Sequence, residues 1–115
     1  MAAIPTIHAL VGISRLAEMT GSTARALRHY EDAGLVRPYR TAAGVRQFTP
    51  TQCDHVAMIV RLRRCDLPLD VIRSLLTETC SDAERQTRLQ AVLNERAQDL
   101  ERKLKLVTAT LKEAA

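Results

Sequence analysis

The stretch Ser22–Phe48 leaves the chain few ways to fold. It reads STARALRHYEDAGLVRPYRTAAGVRQF. The first half predicts a short helix from about Thr23 to Ala33. Ser22 is a good N-cap, Ala24 to Arg28 are strong helix formers, and Gly34 is a natural C′ stop. Ala24, Leu27, Glu31 and Ala33 make no wide apolar stripe, so this helix buries a narrow edge and leaves Arg25, Arg28 and His29 on an exposed face. The second half alternates around Gly44, carries Arg37, Arg40 and Arg46, and has no acid from Ala33 to Thr49. It predicts a two-stranded ribbon over Val36–Phe48, entered through Pro38 and turning near Ala43-Gly44. The chain's only aromatics, Tyr30, Tyr39 and Phe48, all fall in this stretch, so the scarce large side chains coincide with unopposed positive charge. An exposed arginine face on a short helix beside a basic ribbon suits a DNA major groove and its flanking phosphates.

The flanking segments complete a helical head. Ile13–Met19 predicts a first helix, with Ser14 as N-cap and Ile13, Leu16, Ala17 and Met19 as its buried edge. Thr20-Gly21-Ser22 is the tight corner to the second helix. After the ribbon, Thr49 as N-cap and Pro50 at the first helical position start a third helix running to about Arg64. Val56, Ile59, Val60 and Arg63 step along one face of it, and Cys53 joins that stripe. Cys65-Asp66-Leu67-Pro68 breaks the helix, and Leu69, Ile72, Leu75 and Leu76 give a fourth helix its apolar face. Residues 1–11 predict a flexible extension ending in a short strand. Ser81 or Asp82 caps a last long helix over residues 81–113, with Asp82 and Glu84 favourable in its first turn. Its apolar residues, Leu89, Leu93, Leu100, Leu104, Val107 and Leu111, approach a heptad spacing. Such a helix, about 45 Å long at 1.5 Å per residue, needs a partner for its stripe, most simply a second copy of itself in an antiparallel pair.

Composition narrows the function. A chain of 115 residues with 46% hydrophobic but 3% aromatic content builds a small aliphatic core, not a ring-lined ligand cage. The net charge of +4 favours an anionic partner. Residues 1–80 hold 10 Lys+Arg against 7 Asp+Glu, and every one of those bases is Arg, the better fork for phosphate and guanine. No apolar run is long enough to span a membrane, and the N-terminus lacks the layout of a signal peptide. Cys53, Cys65 and Cys80 are odd in number and widely spaced, which fits a reducing cytoplasm better than a disulfide framework. His8, His29 and His55 stand in no arrangement that suggests a catalytic triad or a metalloprotease, and no glycine-rich phosphate loop is present. No enzyme activity and no cofactor are expected.

Four segments together resemble the winged helix-turn-helix head of the MerR family of bacterial transcription regulators. They are ISRLAEMTGS (Ile13–Ser22), ALRHYEDAGLV (Ala26–Val36), RTAAGVRQF (Arg40–Phe48) and LRRCDLPLDVIRSLL (Leu62–Leu76). The resemblance runs in register over about residues 12–77. It implies a mainly α fold: a DNA-binding head over 12–77 with a small β-hairpin wing, then the long dimerisation helix as an antiparallel coiled coil. It also implies a short member without a large effector domain, working in the bacterial cytoplasm on the nucleoid. The partners would be double-stranded DNA, a second copy of the chain, and RNA polymerase at the promoter. Family members bind between promoter elements spaced too far apart and activate by kinking and undertwisting the DNA.

The DNA-binding residues expected on these grounds are Ser22, Thr23, Arg25, Arg28, His29 and Tyr30 on the second helix, and Arg40 and Arg46 on the wing. Arg61 and Arg64, at the end of the third helix, are weaker candidates. His29, Val45 and Phe48 stand where the family more often has Tyr, which removes hydroxyls from the expected phosphate contacts. Cys53 and Cys65 are expected in the core. Cys80 sits where metal-sensing members place a cysteine, but one thiol makes no tetrahedral site. It remains a candidate redox or metal-responsive group. The alternatives left open are a DNA-bending assembly factor, such as an excisionase-like or phage packaging subunit, and a small interaction protein that uses the long helix.

Overall fold

The computed structural model describes residues 10–77 and 81–115. The chain divides into two units at the 77/78 boundary. The first holds helices α1 (Ile13–Thr20), α2 (Ala24–Asp32), α3 (Pro50–Arg64) and α4 (Leu69–Thr77), with strands β1 (Tyr39–Arg40) and β2 (Arg46–Gln47) between α2 and α3. The second holds α5 (Asp82–Ala114). The architecture is mainly helical, with one small antiparallel hairpin.

Three helices of the head, α1, α2 and α3, end in one recurring way. In α1 the amide of Ser22 bonds the carbonyl of Ala17 at 2.9 Å around Gly21, whose φ is 66°. In α2 the amide of Leu35 bonds the carbonyl of Tyr30 at 2.9 Å around Gly34, φ 78°. In α3 the amide of Leu67 bonds the carbonyl of Leu62 at 3.2 Å around Asp66, φ 61°. Each is a Schellman closure, in which one left-handed residue turns the chain back on the last helical turn. Leu35 and Leu67, which follow the left-handed residues, are buried, so those two stops also feed the core. Glycine makes the first two legible in sequence. Asp66 does not announce the third, although a short polar side chain tolerates that conformation better than most.

The start signals differ from expectation at two helices. Ser14 does not cap α1: the N-cap is Gly12, with no side-chain bond. Ser22 does not cap α2, because the next residue, Thr23, takes the extended conformation and its hydroxyl accepts from the Ala26 amide at 3.1 Å. At α3 the expected cap forms, and more fully. The Thr49 hydroxyl accepts from the Gln52 amide at 3.1 Å while the Gln52 side chain accepts from the Thr49 amide at 2.9 Å, a reciprocal capping box with Pro50 in the first turn.

The core of the head is Leu16, Leu27, Phe48, Val56, Ile59 and Ile72, all fully buried. α1 packs on α2 and α3, and α3 on α4. Cys53 lies on the buried stripe of α3 as expected, and burial pushes its thiol pKa up. Cys65, also expected inside, is only half-buried, because it forms the C-cap where α3 gives way to the loop. Met19, expected on the buried edge of α1, departs further: it is 57% exposed, while Leu16 and Ala17 are buried. Val11 pairs with Phe48 through two backbone bonds of 3.0 and 2.8 Å, adding a single rung beside β2.

In the second unit, Ser81 caps α5 through the Glu84 amide at 3.1 Å, with Asp82 and Glu84 in the first turn. Asp99 gathers Arg96, Arg102 and Lys103 within 4 Å along one face of the helix. Toward the end, Leu100, Leu104, Val107 and Leu111 stand exposed, at 45 to 69%. No described helix is long and apolar enough to cross a membrane.

Candidate nucleic-acid interface

The surface that the sequence singles out divides by what each side chain is already holding. On α2, Leu27 and Tyr30 lie three apart and turn inward, while Arg25, Arg28 and His29 share the opposite face and are exposed. Among the described residues nothing accepts a hydrogen bond from the Arg25 or Arg28 guanidinium. They are charged forks with open donors, the type that bonds guanine edges and phosphate in pairs. His29 extends this face, its ring tilted at 46° to that of Tyr30 with 6.4 Å between centroids. Tyr30, expected on the DNA side, is only 7% exposed, because its helical phase is that of Leu27. Thr23 is spent in capping the helix and Ser22 is half-buried in the corner before it.

The wing arginines have a partner within the protein. Arg46 on β2 donates through Nε to Glu31 Oε1 at 2.6 Å. Arg40 on β1 donates through Nη2 to Glu31 Oε2 at 3.0 Å and, through Nη1, to the Gly44 carbonyl at 3.0 Å. One carboxylate in the last turn of α2 therefore holds both strands of the wing. The Arg46 guanidinium, with help from Arg40 and against partial burial, holds the Glu31 carboxyl below its ordinary pKa of 4.5. The strands pair Tyr39 with Gln47 and Arg40 with Arg46. The turn closes by the Thr41 amide on the Val45 carbonyl at 2.9 Å and the Gly44 amide on the Thr41 carbonyl at 2.8 Å. Gly44 has φ 83°, a conformation that favours glycine.

The basic end of α3 splits three ways. Arg63 donates to the Leu67 carbonyl at 2.9 Å and braces the α3–α4 loop. Arg64 donates to the Gly21 carbonyl at 2.7 Å, across the end of α1, so its guanidinium stabilises the helix-turn-helix corner. A Cβ on Gly21 would stand 2.7 Å from that same nitrogen, the far end of a flexible side chain, so it would push the Arg64 guanidinium aside, while the φ of 66° is what favours glycine at the corner. Arg61 makes no such bond. It lines an open groove of about 520 Å³ with Met19, Asp54 and Met58, residues of α1 and α3 rather than of α2 or the wing.

Glu31 and Arg73 also contribute, and the sequence marks neither as a site residue. Glu31 reads in sequence as a helix residue and as half of the acidic pair Glu31-Asp32, whose side chains point apart on a helix; its place in the run RHYE ahead of two wing arginines is the signal for its role. Arg73 on α4 donates through Nε and Nη2 to the Ala33 carbonyl at 3.0 and 2.6 Å, fastening the C-terminal end of α2. Nothing in the local sequence marks Arg73, which is 40 residues away. Cys80 lies outside the described residues. Among the described residues no three His, Cys, Asp or Glu side chains gather as metal ligands.

Residues 12–79 match the family described as MerR HTH family regulatory protein. The HTH-type transcriptional regulator CueR of Vibrio cholerae is 32% identical over 99 residues, covering 85% of this chain and 71% of the relative. Among solved structures, HiNmlR, a MerR family regulator lacking the sensor domain, bound to promoter DNA, superposes with a TM-score of 0.69 at 21% identity. That match covers 90% of this chain and 79% of the other. The HTH-type transcriptional regulator SkgA of Caulobacter crescentus superposes with a TM-score of 0.60 at 27% identity, over 85% and 70% of the two chains.

Proposed function

Because the chain belongs to the MerR family of helix-turn-helix regulatory proteins, and so is a DNA-binding transcription regulator and not an enzyme, we propose that it works as a homodimer on an inverted repeat in promoter DNA. Each head sets α2 into a major groove. Arg25 and Arg28 reach base edges or phosphates there, and the wing lies on the adjoining backbone. The observation that carries this reading is the exposed face of α2, whose two arginines have open donors beside a wing of the same charge.

The pairing is assigned to α5. Leu100, Leu104, Val107 and Leu111 stay in water in the single chain, and covering each would contribute about 1.5–3 kcal/mol. A second copy running antiparallel offers the same stripe in return and joins two heads, as an inverted repeat requires. The regulator then acts by bending and undertwisting the DNA between promoter elements, so that RNA polymerase meets both. The phosphate contacts of two heads offset the deformation.

A nuclease footprint of the purified protein on the DNA upstream of its own gene tests this. The expected result is a protected inverted repeat with a hypersensitive step at its centre. A protected site with no central distortion would remove the bending step, and protection unchanged in both Arg25→Ala and Arg28→Ala would remove the placement of α2. A particle larger than a dimer in solution would favour an assembly role for the same head.

A further inference from the structure

Glu31 stands out as a negative charge set into a surface that must approach phosphate. A carboxylate there repels DNA unless it does something that outweighs the repulsion. Its two partners come from the two strands of the wing, 9 and 15 residues away in sequence. They are not held alike. The Arg46 side chain is 23% exposed and its bond to Glu31 is short, at 2.6 Å. The Arg40 side chain is 45% exposed, reaches the two carboxylate oxygens at 3.0 and 3.4 Å, and shares itself with the Gly44 carbonyl.

We propose that Glu31 is a positioning residue that orders the wing against α2 before DNA arrives, with Arg46 as a strut that stays on the carboxylate and Arg40 as the arm that passes to a phosphate. The proposal rests on the DNA-binding reading above and divides the labour within that site. Two-residue strands cannot hold a wing in one place by their own ladder. A charge-assisted bond from each strand to one helix supplies what the ladder lacks. An arm ordered in advance loses less freedom on binding, so Glu31 raises affinity through order although its charge opposes DNA.

The sign of the effect makes this testable. Charge alone predicts that Glu31→Gln tightens DNA binding and that Glu31→Asp, which keeps the charge on a shorter stem, leaves it unchanged. Positioning predicts that both weaken it, by about tenfold. The experiment is a fluorescence anisotropy titration of the full chain across a salt series. The probes are a labelled duplex of the DNA upstream of its own gene and a mixed-sequence duplex. The variants are E31Q, E31D, R40A and R46A, each checked for helix content by circular dichroism. The slope of log affinity against log salt counts phosphates, at about 0.9 per contact. R40A is expected to lower that slope by about 0.9, whereas R46A, E31Q and E31D weaken binding with the slope unchanged. Equal or tighter binding by E31Q would overturn the proposal, as would a slope loss in R46A equal to that in R40A. Amide hydrogen exchange of the free protein reports on order without DNA: faster exchange at Thr41, Gly44 and Val45 in E31Q is expected, and unchanged exchange would sink the ordering role. A wild type that binds neither duplex would remove the DNA-binding reading itself, while the exchange measurement still decides what Glu31 does.

Discussion

At the scale of single residues, Gly21 and Gly34 separate two meanings of glycine. Both lie in the left-handed region, but an added Cβ at Gly34 meets nothing within 4 Å, whereas at Gly21 it meets the Arg64 guanidinium at 2.7 Å. Gly34→Ala is therefore expected to lower stability by about 1 kcal/mol through backbone conformation alone. Gly21→Ala should in addition lose no more than the exposed Arg64 contact, because the end of that flexible side chain can swing aside. Urea unfolding of the two variants measures the difference, and equal losses would show that the Arg64 contact contributes nothing. Glu31 carries a pH prediction. Its folded pKa is depressed, chiefly by the Arg46 bond, so its contribution to stability is present above the ordinary value of 4.5 and is lost as pH falls through the lower folded value. Wild type should exceed Glu31→Gln in stability at neutral pH, and the gap should close below pH 4.5. A gap independent of pH would mean that shape, not charge, holds the wing.

At the scale of elements, α3 and α2 play different parts. α3 is the spine of the head: it supplies Cys53, Val56, Ile59, Val60 and Leu62 to the core and is closed at its start by the Thr49–Gln52 capping box. Thr49→Ala is expected to cost about 1 kcal/mol, seen as a lower denaturation midpoint with DNA contacts untouched. α2 is short, caps itself with Thr23, and is braced at its far end by the Arg73 bonds to the Ala33 carbonyl. Its outer face is free of structural duty, so Arg25→Ala and Arg28→Ala should leave the unfolding midpoint within about 0.5 kcal/mol of wild type. In DNA affinity each should lose about 1–3 kcal/mol if it pairs with a base. A variant that unfolds early and binds weakly in proportion would place that arginine in the fold instead.

For the whole molecule, the proposed partner of α5 is a second copy, and the consequence is one of mass. Leu104→Asp combined with Leu111→Asp puts charge on the exposed stripe and should convert a dimer into a 12.8 kDa monomer by sedimentation. Specific DNA binding should then fall far more than binding to a mixed-sequence duplex, since an inverted repeat rewards two joined heads. An unchanged mass would move the dimer contact off this stripe.

What the sequence determined by itself was whatever is decided within a few residues. The α3 start at Thr49-Pro50, the stops at Gly21 and Gly34, the hairpin around Gly44, the buried stripe of α3 and the cap of α5 all depend on backbone preference and periodicity, which act over one or two turns. The family resemblance was legible for the same reason, as four short runs in fixed order. The sequence also located the basic face of α2, because Arg25 and Arg28 share a helical phase opposite Leu27. Only the tertiary structure decided which of the remaining arginines are free. Arg40 and Arg46 meet Glu31, Arg64 meets the end of α1 43 residues away, and Arg73 meets the end of α2. Met19 is exposed although it lies within the expected apolar edge of α1, because packing covers only part of that edge, whereas the burial of Tyr30 follows the helical phase of Leu27. A guanidinium reads the same in sequence whether it waits for a phosphate or holds a carbonyl. The distinction lies in what the fold brings within 3 Å of it.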